Sequence, residues 1–264
     1  MAKKNMEKFS LGKPSPKKLD DLENKEKEKF HPEIKFGYNP NLDKFICWTF
    51  FKNSGKIFLN GLKLEYPIKD EEATKQKISE AVDKFYQEND KGVKESVGLA
   101  ELSWQEVESS FYNKVDELFS GYDWPKAKTA DGKYKANGSI LNIFPRFIEE
   151  KSFCFPAKPR EAKKISSNRV IAHEMLHFIT YDYLEKKYNL KPSEAGDKDN
   201  KFWQFTENLN ALIEGDPMWS EFMEGDEPDR KPECADLYDE MEKIWSKNKN
   251  LDNLIEKVFN VKKI

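Results

Sequence analysis

The chain has 264 residues, with 45 Lys and Arg against 48 Asp and Glu, and its formal net charge is −3. This balance gives no electrostatic reason to expect nucleic acid as a partner, and no apolar run approaches the roughly 18–20 residues that a membrane span needs. The N-terminus lacks the hydrophobic segment of a signal peptide, and three cysteines without paired spacing indicate a reducing compartment, so we expect a cytoplasmic protein.

The first part of the chain predicts a tail followed by a hairpin. Residues 1–35 are rich in Lys and Glu and have few apolar anchors, which predicts a flexible tail or, as the alternative, a partner-binding arm. Alternating apolar residues at 45–51 and 56–59, joined through Asn53-Ser54-Gly55, predict a β-hairpin.

Two helices and two strands are expected next. Residues 71–87 and 103–119 have apolar side chains at helical spacing: Ile78, Val82 and Phe85 in the first and Val107, Phe111, Val115 and Phe119 in the second. Residues 139–144 predict a strand that Pro145 ends, and residues 151–155 predict a second short strand. We therefore expect residues 36–160 to form an N-terminal α+β lobe.

The second part of the chain is expected to be helical. An apolar helix should begin near Ala162 or Ser166 and run to about Tyr188. The next should start near Asp199, a suitable N-cap, and end at Gly215-Asp216-Pro217, with two or three more helices after it. The fold class is therefore predicted as α+β, with a mixed sheet and helices first and a mainly helical lobe at residues 161–264.

The most informative motif lies on the first of these C-terminal helices. His173-Glu174-Met175-Leu176-His177 is an HExxH sequence, and it contains two of the three histidines of the chain. Residues four apart lie on one helix face, so both imidazoles can bind one metal ion, while Glu174 lies about 100° further round beside it. Packing alone would need separate partners for three ionisable groups among apolar neighbours, so metal binding is the stronger interpretation.

A catalytic zinc site needs a third protein ligand. The remaining histidine, His31, lies in the charged N-terminal stretch, and Cys47, Cys154 and Cys234 lack paired spacing. On a helix over residues 201–214, one face is apolar and the other is an unusual polar stripe without lysine. That stripe contains Trp203, Glu207, Asn210 and Glu214. Its carboxylates are the better candidates, whereas Cys154 is more typical of a core thiol in a strand.

Over roughly residues 165–214, the chain resembles the gluzincin branch of the zinc metallopeptidases. In that family the two HExxH histidines and a glutamate from a following helix bind zinc. The spacing of Trp203, Glu207 and Asn210 is also similar to that of small uncharacterised bacterial HExxH proteins. The resemblance implies that Glu207 is the third ligand and that Asn210 holds its carboxylate or an imidazole. Glu214 is the alternative ligand.

The same resemblance implies a zincin-like fold and a peptide or protein substrate. Glu174 is expected to act as the general base towards water activated by Zn²⁺. Tyr181, Tyr183 and Arg169 are the available oxyanion donors, and residues 140–144 or 152–155 could provide a sheet edge for an extended peptide. A metal-stabilised binding module without catalysis, or a hydrolase of a non-peptide amide, are the alternative functions.

Overall fold

The protein is mostly helical, with one small mixed sheet. The computed structural model describes residues 29–54, 71–141, 143–157, 166–192, 200–222 and 235–264. These ranges contain four strands, β1 (Ile34–Tyr38), β2 (Tyr134–Ser139), β3 (Arg146–Phe147) and β4 (Ser152–Pro156). They also contain six α-helices, α1 (Pro40–Ser54), α2 (Glu71–Leu118), α3 (Ser167–Tyr188), α4 (Lys201–Glu214), α5 (Ala235–Asn248) and α6 (Leu251–Phe259), and a 3₁₀ turn at Pro217–Trp219. The predicted α+β class is confirmed at this level.

Residues His31–Ile264 group into one compact unit. The predicted boundaries after residues 35 and 160 stay predictions. Within the described ranges, no helix has both the length and the apolar character that crossing a membrane requires.

The sheet has the strand order β1-β2-β4-β3. β1 and β4 both run parallel to β2, whereas β3 pairs antiparallel with β4. β4 is therefore an inner strand, and the expectation that residues 152–155 form an exposed edge is wrong. Residues 140–144 are not a strand either, as far as they are described, because β2 ends at Ser139. The edges of this sheet are β1 and the two-residue strand β3.

The predicted β-hairpin is wrong for residues 45–51, which lie in helix α1, while residues 56–59 fall outside the described residues. The helix begins at Asn39-Pro40: the Asn39 side chain accepts from the backbone N–H of Asn41 at 3.0 Å, and proline suits the first helical position. Asp43, Ile46 and Cys47 are buried at helical spacing. The start signal therefore outweighs the local alternation of apolar residues.

The two helices predicted at 71–87 and 103–119 are one helix, α2, of 48 residues. Between the predicted segments, Val93, Val97 and Ala100 are buried and continue the apolar face. Gly92 and Gly98 weaken the helical signal of this stretch without ending the helix.

The helices that carry the HExxH motif and the polar stripe have the expected bounds. α3 starts after Ser166 and ends at Asn189, whose left-handed backbone (φ 53°) closes the last turn. The N-cap of α4 is Asn200, one residue after the predicted Asp199, and the Asn200 side chain accepts from the Phe202 N–H at 2.9 Å. Gly215 ends α4 as expected.

The two faces of the sheet pack against different helices. Phe153 and Phe155 belong to the main core together with Phe178 of α3, whose ring lies 6.1 Å from that of Phe153. Cys154, between them in β4, belongs to a second cluster with Ile46 and Cys47 of α1. Since neighbouring side chains of a strand point to opposite faces, α3 lies on one face of the sheet and α1 on the other.

Asp43 ties α1 to the end of β2. Its carboxylate accepts from the hydroxyls of Tyr86 and Ser139, both at 2.6 Å, and from the Ile140 N–H at 3.2 Å. Burial raises the pKa of Asp43, and these three donors oppose that rise. A buried carboxylate with three donors fixes the relative positions of α1, α2 and β2.

Gly138 of β2 packs tightly against Val97 of α2. A Cβ atom there would be 2.5 Å from Cγ2 of Val97 and 3.0 Å from Cβ of Ala157. Because β-branched valine in a helix has little rotamer freedom, Gly138→Ala should reduce the free energy of unfolding by about 1–3 kcal/mol. Denaturant unfolding of the purified variants measures the change.

Gly37→Ala is the matched control, because a Cβ on Gly37 of β1 meets nothing within 4 Å. Its stability should change by less than about 1 kcal/mol. Equal unfolding midpoints for the two variants would contradict the close packing of α2 on β2.

Candidate metal centre

His173 and His177 of α3 and Glu207 of α4 come together at one point. The Nε2 atoms of the two histidines are 3.1 Å apart. Glu207 lies 3.7 Å from each, with Oε2 facing His173 and Oε1 facing His177. One possible ligand atom from each residue lies within 4.8 Å of the others. The residues that the sequence singles out are thus adjacent across two helices.

This geometry fits a divalent metal ion. Two nitrogens that each lie about 2.0–2.1 Å from a tetrahedral ion are about 3.3 Å apart, close to the spacing of the two Nε2 atoms. Two neutral imidazoles and one carboxylate also form a donor set that leaves a coordination position open. His177 is fully buried and the His173 side chain is 23% exposed, so the cluster is reached from the His173 side.

Glu214 lies beside the cluster and holds His173. Its Oε1 is 2.6 Å from Nδ1 of His173, the ring nitrogen that faces away from His177. Arg169 donates to the other oxygen of Glu214 through Nε at 3.1 Å and Nη2 at 2.8 Å. A carboxylate that accepts from Nδ1–H leaves the lone pair of Nε2 free for a metal. Glu214 is therefore placed to orient a candidate ligand, whereas Glu207 itself belongs to the group of three residues that could hold a metal ion.

Asn210 supports the same histidine through its backbone. The sequence led us to expect that Asn210 holds the Glu207 carboxylate or an imidazole. Instead, its Nδ2 donates to the main-chain carbonyl oxygen of His173 in α3, at 3.0 Å. The Asn210 side chain is fully buried between the helices. This hydrogen bond fixes the position of α4 along the axis of α3, and hence the position of Glu207 relative to the two histidines.

Arg146 of β3 is a site residue that sequence reasoning missed. Its Nη2 donates to Oε1 of Glu207 at 2.9 Å, and its Nη1 lies 3.5 Å from Oε2 of Glu174. One guanidinium thus reaches both the candidate third ligand and the glutamate of the HExxH motif. The available signal was a single cation among apolar residues, in Ile143-Phe144-Pro145-Arg146-Phe147-Ile148; such a residue needs a buried partner.

The buried carboxylates make this cluster a site for positive charge. Burial opposes the charged form of His173, but its hydrogen bonds to Glu207 and Glu214 outweigh burial and raise the pKa of His173 to about 10. Burial likewise opposes the charged form of Glu207, but the His173 hydrogen bond and the charges of His177 and Arg146 lower the pKa of Glu207. Without a metal, a proton on His173 provides the missing positive charge, and a metal ion would replace that proton.

Three of the four remaining candidate ligands lie away from this cluster. Cys154 is fully buried on the face of the sheet that packs against α1, and burial raises the pKa of its thiol. Burial also raises the pKa of Cys47 to about 11, which is unlike a metal-binding thiolate. His31 pairs with Asp116 at 3.0 Å and stacks on Tyr112. Cys234 lies outside the described residues.

The three expected oxyanion donors differ in position. Arg169 is paired with Glu214, and the Tyr183 hydroxyl donates to Asp252 at 2.6 Å. Tyr181 lies one turn after His177, with ring centres 5.9 Å apart, and its hydroxyl is 3.5 Å from Nη2 of Arg146. Of the three, Tyr181 is therefore the one next to the candidate metal ligands.

Comparisons with protein-family models, with curated proteins and with solved structures found no match to this chain.

The geometry predicts different roles for the two glutamates of α4. Glu207→Ala should abolish stoichiometric zinc binding because it removes a ligand. Glu214→Gln should keep one zinc per chain with an affinity reduced by about 10–100-fold, as for other groups that orient a ligand. Metal analysis after dialysis gives the stoichiometry, and competition with a chelator gives the affinity.

His31→Ala is the control for the loss of a histidine, since His31 lies against Asp116 and Tyr112, and it should bind zinc as the unmodified chain does. Full zinc affinity in Glu207→Ala together with loss in Glu214→Gln would reverse the assignment of the third ligand.

Proposed function

We propose that this chain is a zinc-dependent hydrolase of peptide bonds, with His173, His177 and Glu207 as zinc ligands and Glu174 as general base. The main support is the convergence of two imidazole nitrogens and a carboxylate from the next helix within 4.8 Å. The arrangement of two HExxH histidines and a later glutamate resembles that of the gluzincins, and a zincin-like fold is part of this proposal.

The proposed chemistry follows from the position of each side chain. Bound zinc would lower the pKa of a water molecule to about 7 and polarise the substrate carbonyl. Glu174 accepts a proton from the attacking water and delivers it to the leaving nitrogen. Glu214 keeps the Nε2 lone pair of His173 directed at the ligand position, through its 2.6 Å contact with Nδ1.

Arg146 and Tyr181 provide the remaining polar groups. Arg146 holds the carboxylates of Glu174 and Glu207 at a fixed separation, because its two Nη atoms contact one each. The Tyr181 hydroxyl is the best-placed donor for the oxygen that becomes negatively charged during attack on the carbonyl.

One observation favours a second candidate function. The Glu174 carboxylate already faces the Arg146 guanidinium at 3.5 Å, and an ion pair of this kind suits a metal site that only stabilises the fold of a binding module. Hydrolysis of a non-peptide amide would use the same residues as peptide hydrolysis. Substitution of Glu174 distinguishes catalysis from a structural metal.

Glu174→Gln should leave zinc bound and reduce hydrolysis by about 10²–10⁴-fold, because the amide keeps the shape of the side chain but cannot accept a proton. Cleavage of a mixed peptide library is compared between the unmodified chain and the variant at matched zinc content. Glu117→Gln, an exposed position on α2, is the control and should retain full activity.

Equal cleavage by the Glu174→Gln variant and the unmodified chain would exclude Glu174 as the base. An absence of cleavage of any amide by the zinc-loaded unmodified chain would favour the binding module.

Arg146→Lys should bind zinc but show a kcat about 10-fold lower with little change in KM. Lysine retains the positive charge, but one ammonium cannot reproduce the two-point contact of the guanidinium with Glu174 and Glu207. Steady-state kinetics at matched zinc content measure both constants. If Arg146→Lys had an unchanged kcat, charge alone would suffice and the positioning role would be wrong.

A further inference from the structure

A large cavity lies at the C-terminal end of α3, one to two turns beyond the histidine pair. Its volume is about 960 Å³, and its walls come from residues 119–128, residues 148–151 and the last turns of α3. Six lysines line it, namely Lys126, Lys128, Lys151, Lys186, Lys187 and Lys263. The cavity thus combines ligand-sized space with concentrated positive charge.

The charge of the cavity differs in sign from that of the whole protein. Its six lysines face four carboxylates, a net charge of +2, whereas the chain carries −3. Two of the carboxylates are already paired: Glu149 with Lys128 at 2.5 Å and Asp182 with Lys186 at 3.0 Å. Of the other lysines, Lys263 pairs with Asp252, which does not line the cavity, at 2.7 Å, and Lys151 is the most deeply buried.

Lys151 is 8% exposed although it carries an ionisable amine. Its Nζ donates to the carbonyl of Ile148 at 2.8 Å and lies 5.5 Å from the ring centre of Phe178. An ammonium has three donors, and no carboxylate of the described chain forms an ion pair with this one; Asp182 and Glu149 act on it at longer range. Burial lowers the pKa of Lys151, and a bound anion would oppose that effect by placing a negative charge next to the ammonium.

Lys151 also occupies a turn position that suits other residues better. Its backbone is left-handed, with φ 49°, a conformation that glycine or asparagine adopts at lower cost. A lysine there presents its side chain to the cavity from the turn just before β4. Lys187 contributes a second cation from α3, with Nζ 5.5 Å from the ring centre of Tyr122.

Tyr181 connects the cavity to the candidate metal centre. It lines the cavity, and its ring lies 5.9 Å from that of His177 while its hydroxyl is 3.5 Å from Arg146. Phe178, beneath the Lys151 ammonium, is the residue directly after His177. The cavity therefore begins about one helical turn beyond His177 along α3, with the Tyr181 side chain between them.

We infer that this cavity is a subsite that binds a carboxylate of the peptide substrate, with Lys151 as its principal cation and Lys187 as a second. This inference rests on the proposed function. Residues 177 and 187 are about 15 Å apart along the helix axis, a distance that an extended peptide covers in about four to five residues. The chain should thus prefer peptides with an acidic residue within about five positions of the cleaved bond.

The test measures binding separately from cleavage. The full-length zinc-loaded Glu174→Gln variant is titrated by calorimetry with short acetylated and amidated peptides in which a single Glu is moved along the sequence. The same peptides with Gln in place of Glu serve as the reference. At one or more positions the Glu peptide should bind about 10-fold or more tightly than the Gln peptide, the usual effect of a charge-assisted hydrogen bond.

Lysine variants then assign the preference to the cavity. Lys151→Met should remove the difference between Glu and Gln peptides, and Lys187→Met should reduce it. Lys91→Met, on the exposed surface of α2 with a 91% exposed side chain, should leave it unchanged. If Lys151→Met does not fold, the Lys187→Met result decides.

The outcomes separate the two proposals. Equal binding of Glu and Gln peptides at every position, or a preference that both cavity variants retain, overturns the subsite. A Glu preference that depends on the cavity lysines supports the subsite even if the unmodified chain cleaves none of these peptides, a result that would count against the peptidase alone.

Discussion

Three glutamates buried in one place constrain this structure more than any other feature. Glu174, Glu207 and Glu214 are each less than one-tenth exposed by side chain, and burying carboxylates together is costly unless cations are held against them. Arg146 faces two of them, and Arg169 faces the third. Two guanidinium charges leave one negative charge over, which the raised pKa of His173 reflects and which a metal ion would more than balance.

Each cation reaches the cluster from a different element, so the site also holds the fold together. Arg146 comes from β3 at the edge of the sheet, whereas the carboxylates belong to α3 and α4. The pairing of β3 with β4 fixes the position of Arg146, and Phe178 packs α3 on the same sheet. Removing one partner of a buried ion pair leaves the other charge uncompensated. Loss of one charge in the cluster would therefore destabilise the packing of β3, α3 and α4 together.

Sequence patterns predict the features that depend on local spacing, but not the contacts between residues that are far apart along the chain. The four-residue spacing of His173 and His177 and the stripe that holds Glu207 follow from helix geometry alone. By contrast, Arg146 has no fixed spacing to Glu174 or Glu207, since a turn, β4 and a helix separate them along the chain. At residues 45–51 the alternation of apolar residues predicts a strand, but the helix start signal at Asn39-Pro40 outweighs it. The glycines of α2 similarly hid its continuity.

The two halves of α3 face two different environments. Up to His177 its polar groups meet the carboxylates of the candidate metal centre, whereas from Tyr181 onwards its side chains line the lysine-rich cavity. Tyr183 and Tyr188 anchor that end by donating to Asp252 of α6, both at 2.6 Å, and Lys263 binds the same carboxylate at 2.7 Å. The C-terminal residues thus fix one wall of the cavity. The position of this cavity wall relative to the histidines is therefore set by the packing of α6 and the last residues against α3, and not by the HExxH motif.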